Sequence, residues 1–326
     1  MDMEQKLAVK QARKGMNRIG LILLIYYGIM NLFAILAIFA DMVVYLVRLL
    51  AQGMTLDVDA LVNYVMERAL TNGWGYILSI LAGTAILLLW KGWGFVRDDM
   101  FRRDKTMTVG SFFQILFVFF SAQFLSQLFA LGLEWLLNRM GFSAMAAMEM
   151  ASTTGGSFSM FLYACFLGPI AEELLFRGLI LRLTRSWGKQ TAILVSALAF
   201  GLFHGNIIQI PFAFSVGLVL GFVTVEYSIF WAIVLHVINN LVLADLLGRV
   251  VELLPETAGL ILSDGIVVVS AIVAVVVLII RRREVAAYFR ENKADRTAMR
   301  GLFTSPVVLI FGILMLLMSL LTITRL

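Results

Sequence analysis

The sequence predicts an all-α fold, a polytopic transmembrane helix bundle of eight to nine spans. Two properties of the composition point there. Hydrophobic residues make up 61% of the chain and charged residues 14%, whereas a water-soluble domain is roughly half apolar and a quarter charged. Mean hydropathy is +0.94. The third observation is spacing: apolar runs close to the ~20 residues that cross a bilayer recur from end to end. A soluble globular domain is excluded on these grounds.

The predicted spans are 19–50, 76–95, 109–137, 158–183, 191–204, 207–225, 229–247, 258–280 and 306–323. The first is long enough to tilt or to project from the membrane. Its apolar run continues without a small-residue cleavage pattern, so it reads as a retained helix rather than a signal peptide. The fifth is short, and Gly205-Asn206 turns tightly into the sixth. Spans five and six as a partial hairpin would give eight full crossings. One integral membrane domain is expected, with three spans in 1–157, a core in 158–248 and C-terminal helices in 249–326.

Orientation follows from the loops. The net charge of +5 is concentrated in them, and Lys and Arg favour the cytoplasmic side. Lys6, Lys10, Arg13, Lys14 and Arg18 precede the first span, and Arg97, Arg102, Arg103 and Lys105 follow the second. Arg182, Arg185 and Lys189 separate the fourth and fifth, and the stretch 281–300 carries seven further basic residues from Arg281 to Arg300. The alternation holds with a cytoplasmic N-terminus and an external C-terminus. These clusters read as topology signals beside membrane lipid, not as a nucleic-acid surface. The stretch 281–300, with Val285, Tyr288 and Phe289 among its charges, is expected to be an interfacial amphipathic helix. Gly217-x-x-x-Gly221 suits close helix packing. Cys165 is the single cysteine, which excludes an internal disulfide and reads as a buried, inert thiol. The sequence sets no oligomeric state.

Against this apolar background the stretch 169–240 is conspicuous for its polar groups. It holds both histidines of the chain, His204 and His236, and the double carboxylate Glu172-Glu173. Ionisable residues at membrane depth are expensive and mark functional sites by default. Glu173 and Arg177 are four apart and share a helix face, so they are expected to pair. Glu172 is turned about 100° away and lacks that partner. Phe200 and His204 share a face of the fifth span, as do His236 and Asn240 on the seventh. Counted inward from the nearest loops, Glu172 and His204 lie ~20 Å along their helices, and His236 and Asn240 lie ~12 to 18 Å along theirs. All four groups can therefore meet in one layer.

A carboxylate beside an imidazole can activate water, and a histidine and an asparagine amide can stabilise an oxyanion. That set fits peptide hydrolysis without a covalent intermediate. No G-x-S-x-G nucleophile is present. Glu172, His204 and His236 could also hold zinc. The absence of H-E-x-x-H and the poor ligand quality of Asn240 argue against it, so no cofactor is expected. The same residue types also serve proton-coupled transport, and the residues alone leave that reading open.

At these positions the sequence resembles the CPBP family, the type II CAAX prenyl endopeptidases and their bacteriocin-processing and immunity relatives. E-E-x-x-x-R matches Glu172, Glu173 and Arg177; F-x-x-x-H matches Phe200 and His204; H-x-x-x-N matches His236 and Asn240. The resemblance implies an intramembrane endopeptidase in which Glu172 and His204 activate water. His236 and Asn240 would hold the oxyanion, with Glu173, Arg177 and Phe200 in support. It also implies a peptide or membrane-protein substrate, and admits a non-catalytic immunity or scaffold role. The composition and short loops look bacterial, which places the chain in a bacterial plasma membrane.

Overall fold

The computed structural model describes residues 2–152 and 157–326. The chain opens with α1 (Met3–Ala51), which Asp2 caps by accepting from the Gln5 amide. It begins well before the predicted first span because the basic stretch 6–18 continues the same helix beyond the apolar run. α2 (Val58–Thr71) folds back along α1, fastened by Arg68 to Asp41 at 3.1 Å. α3 (Gly73–Phe95), α4 (Val109–Arg139) and the short α5 (Met145–Ser152) follow.

The run 158–184, here α6, mixes two helical geometries. α-Helical Phe158–Leu162, Gly168–Glu173 and Leu181–Thr184 alternate with π-helical Tyr163–Leu167 and Leu174–Ile180. α7 (Lys189–Phe203) and α8 (Gln209–Glu226) form a tight antiparallel pair. α9 spans 229–252 and is π-helical over Asn239–Leu246. α10 (Glu256–Ile280), α11 (Arg282–Glu291), α12 (Arg296–Phe303) and α13 (Pro306–Leu320) complete the bundle. The single amphipathic helix expected over 281–300 is thus two helices, because Asp295 starts a new one by capping the Ala298 amide. One short antiparallel pairing, Phe142–Ser143 with Thr324–Arg325, is the departure from an all-helical chain among the described residues.

All nine predicted spans are helical. Six helices are long and apolar enough to cross a membrane among the described residues, or seven if α12 and α13, bent by 60°, count as one span. The difference from eight or nine has two physical sources. The π turns divide α6 into short pieces, and α7 has 15 residues, ~22 Å at 1.5 Å each.

Contacts at the two ends of the bundle sort the connecting segments. At one end the Gly73 amide donates to Ser159 Oγ, Asn206 Nδ2 donates to the Ala147 carbonyl, and residues 142–143 pair with 324–325. At the other, the Lys105 amide donates to the Glu226 carbonyl, the Asp295 amide to Thr191 Oγ1, and Ser305 Oγ to Asn17 Oδ1. This partition places successive connections at alternate ends of the bundle. Gly205 makes the α7–α8 turn possible with φ of +56°, a region open to glycine and strained for other residues. Asn206 then caps α8 through the Ile208 and Gln209 amides.

The best-buried core lies on α6 to α9, around Phe176, Phe200, Leu179, Ile180, Leu220 and Leu235. α1 covers it with Met16, Ile19, Leu23 and Tyr26. α10 and the outer half of α1 present apolar side chains outward, as lipid-facing helices do.

Candidate active site

Glu173 and Arg177, four apart on α6, form the expected ion pair, with Nη1 to Oε1 at 2.8 Å and both side chains fully buried. An unpaired charge there would be costly, so the pair is the condition for either residue to be present. Arg177 has two further neighbours. Nη2 donates to the Gly217 carbonyl at 3.3 Å, and the guanidinium lies 4.4 Å from the centre of the Phe200 ring. Gly217 therefore does more than pack helices. A Cβ at this position would stand 3.1 Å from the Ala197 backbone and 3.2 Å from Arg177 Nη2, so the glycine lets both approach.

His236, from α9, reaches the same carboxylate. Its Nδ1 lies 2.9 Å from Glu173 Oε1. A carboxylate paired with arginine only accepts hydrogen bonds, so Nδ1 carries the proton. Nε2 then faces Glu172 Oε2 at 3.6 Å. This distance exceeds a direct hydrogen bond, yet a single water could contact both groups. The i, i+4 spacing groups His236 with Asn240; in the structure the two carboxylates also bracket it. Glu172 itself keeps 27% of its side chain exposed while Glu173 keeps none.

His204 caps the end of α7. Its Nδ1 lies 2.9 Å from the Phe200 carbonyl oxygen, an obligate acceptor, so the proton is again on Nδ1. In both imidazoles Nε2 is therefore the unprotonated nitrogen. Phe200 is the hub between them: His204 meets its ring edge-to-face at 4.9 Å and His236 at 5.7 Å. Asn240 donates from Nδ2 to the Ala164 carbonyl at 2.9 Å and accepts from Asn239. One of its two N–H groups is left over. The buried Cys165 thiol contacts the Asn240 carbonyl at 3.8 Å, in keeping with an inert role.

Among the described residues, three of the four π-helical segments lie in α6 and α9, around Ala164, Arg177 and Asn240. Such wide turns shift side-chain directions and recur at functional sites. Sequence periodicity gives no sign of them. Two further residues escaped the sequence reading. Tyr26 of α1 and Tyr163 of α6 lie within electrostatic range of Glu172, and Tyr163 stacks on Tyr76 at 5.1 Å. A lone tyrosine in an apolar helix carries no motif that would have marked it.

Among the described residues no three His, Cys, Asp or Glu side chains are grouped to hold one ion.

Residues 154–242, roughly a quarter of the chain, match the family described as type II CAAX prenyl endopeptidase Rce1-like. Over this segment the chain is similar to the CPBP family. The matched segment covers α6 to the middle of α9, which is where every motif residue lies. No curated protein and no solved structure matched the chain.

Proposed function

We propose that this protein is an intramembrane endopeptidase that hydrolyses a membrane-associated peptide or membrane-protein segment by activating water. The observation that carries the reading is the unequal treatment of two adjacent carboxylates. Glu173 is committed to Arg177 and His236, whereas Glu172 is partly exposed beside the Nε2 of an imidazole. A site built only for packing has no reason to leave one carboxylate open.

In this mechanism Glu172 removes a proton from water as the oxygen attacks the scissile carbonyl carbon, with His204 Nε2 helping to position that water. His236, when protonated, and the spare Asn240 N–H donate to the resulting oxyanion. Glu172 returns its proton to the amine as the C–N bond breaks. Glu173 fixes the His236 tautomer, and Arg177 and Phe200 fix Glu173 and both rings. The N-terminus lies on the cytoplasmic side, where the basic loops gather.

The test is cleavage of a peptide library by the protein in liposomes. Glu172→Gln and His204→Ala should each reduce turnover by about 10²- to 10⁴-fold, the range for a positioned acid–base group. Unchanged cleavage in both variants would remove the assignment. Activity that survives a strong chelator supports the metal-free form, and activity restored only by added zinc would replace it.

A further inference from the structure

A cleft opens at the basic end of the bundle, between residues 101–108 and the start of α9. It has a volume of about 320 Å³ and is lined by Arg103, Lys105, Thr106, Ser228, Phe230 and Trp231, together with Asp104. Nothing in the proposed hydrolysis uses it.

Its floor is the N-terminus of a long helix. Ser228 is extended, with φ of −174°, in the position from which a serine commonly caps, yet no side chain caps the first turn of α9. The first amides of that turn therefore retain hydrogen-bonding capacity toward an anion. Ser228 is only 4% exposed. It lines the cleft, and its hydroxyl has no hydrogen-bond partner among the described residues. Although the residue is largely buried, it lines the cleft, so a ligand oxygen there could reach its hydroxyl.

The walls favour negative charge. The Asp104 carboxylate is engaged by Arg102 at 3.3 Å, and Glu226, behind the cleft, is held by both Lys105 and Lys189. Arg103 is exposed and forms no ion pair among the described residues. On the outer side Phe230 is 51% exposed, and Trp231 packs on Phe112 at 5.6 Å. Aromatic residues of this kind sit at the headgroup level of membranes.

We infer that the cleft between residues 101–108 and α9 binds a phosphate-bearing anion, the head group of an anionic phospholipid at that membrane face. The amide ends, Ser228 and Thr106 hydroxyls and Arg103 take the phosphate oxygens, and Phe230 and Trp231 border the acyl chains. Its occupant steadies the start of the helix that carries His236 and Asn240. The site stands independently of the peptidase reading.

The experiment uses the full chain in nanodiscs of phosphatidylcholine with and without phosphatidylglycerol, and reads the lipid retained after extraction by native mass spectrometry. Wild type should retain phosphatidylglycerol over phosphatidylcholine. Arg103→Gln should lower that retention about fivefold, the effect of one basic residue near a charged membrane surface. Ser228→Ala should lower it in the same direction. Arg283→Gln, a surface charge removed elsewhere, should leave it unchanged. Displacement of the lipid by inorganic phosphate would assign the same site to free phosphate, and no displacement assigns it to the lipid. Equal retention of the two lipids, unchanged retention in both cleft variants, or an equal loss in Arg283→Gln would overturn the proposal. Circular dichroism of each variant separates loss of binding from loss of fold.

Discussion

Two buried carboxylates sit in two regions of this molecule and meet the same electrostatic problem differently. Glu173, at membrane depth, is bridged between Arg177 and His236, and all three side chains are almost wholly out of solvent. Glu226, at the basic end of α8, is bridged between Lys105 and Lys189, whose side chains are 66% and 31% exposed. The first arrangement has rigid partners: a planar guanidinium and an imidazole pinned by Phe200. The second uses flexible ammonium groups that remain in contact with water. Rigidity at the first site serves orientation of His236. At the second, the same charge pattern serves to tie residues 101–108, α7 and α8 together. Burial of a carboxylate is therefore not by itself a sign of chemistry; the stiffness and exposure of its partners distinguish the two cases.

The largest effect should come from breaking the first arrangement. Glu173→Gln leaves the Arg177 charge buried without a counter-charge, and removal of one partner from such a pair costs about 3–5 kcal/mol. The variant should unfold at markedly lower temperature and lose its cleavage activity, since His236 loses the acceptor that sets its tautomer. The double variant Glu173→Gln/Arg177→Met removes both charges and should recover much of the stability, because apolar replacement of a buried pair is often neutral. Its activity should stay low. Recovery of activity with stability would show that the pair only props the fold, and would erase the contrast with Glu226.

How far the sequence revealed these regions differs between them. The Glu173–Arg177 pair follows from i, i+4 spacing on a helix, and the meeting of Glu172 with His236 follows from depth counting. Those arguments need only helix geometry. The helical character of the apolar runs follows from their length, with ends displaced where charged residues extend a helix, as in α1; the count of eight to nine full spans does not, since six or seven helices are long enough to cross. The bracketing of His236 by both carboxylates does not follow, because it depends on how α9 is rotated against α6. The approach of Tyr26, the π turns and the pairing of residues 142–143 with 324–325 are likewise tertiary outcomes with no local pattern. Glu226 was invisible for the same reason: its lysines lie 121 and 37 residues away.

The smaller effect should come from the second arrangement. Glu226→Gln removes ion pairs whose cations are solvated, worth about 1 kcal/mol or less. High salt should shrink even that difference, whereas the Glu173→Gln loss should hardly respond to salt, since screening acts on exposed charges. The pH dependence has a definite sign. The hydrogen bond to Glu226 holds the Lys105 ammonium above the ordinary lysine range. A group whose pKa is raised by folding contributes stability below its unfolded value, ~10.4 for lysine, and that contribution fades as pH climbs through the folded value. Between neutral pH and about pH 9, then, the wild type should exceed Glu226→Gln by a constant small margin in thermal unfolding. From about pH 10.5 upward the margin should shrink, and it should close once pH exceeds the raised Lys105 value. A margin that persists at alkaline pH or in molar salt would mean that Glu226 is held as tightly as Glu173, and the distinction between an orienting carboxylate and a clamping one would fail.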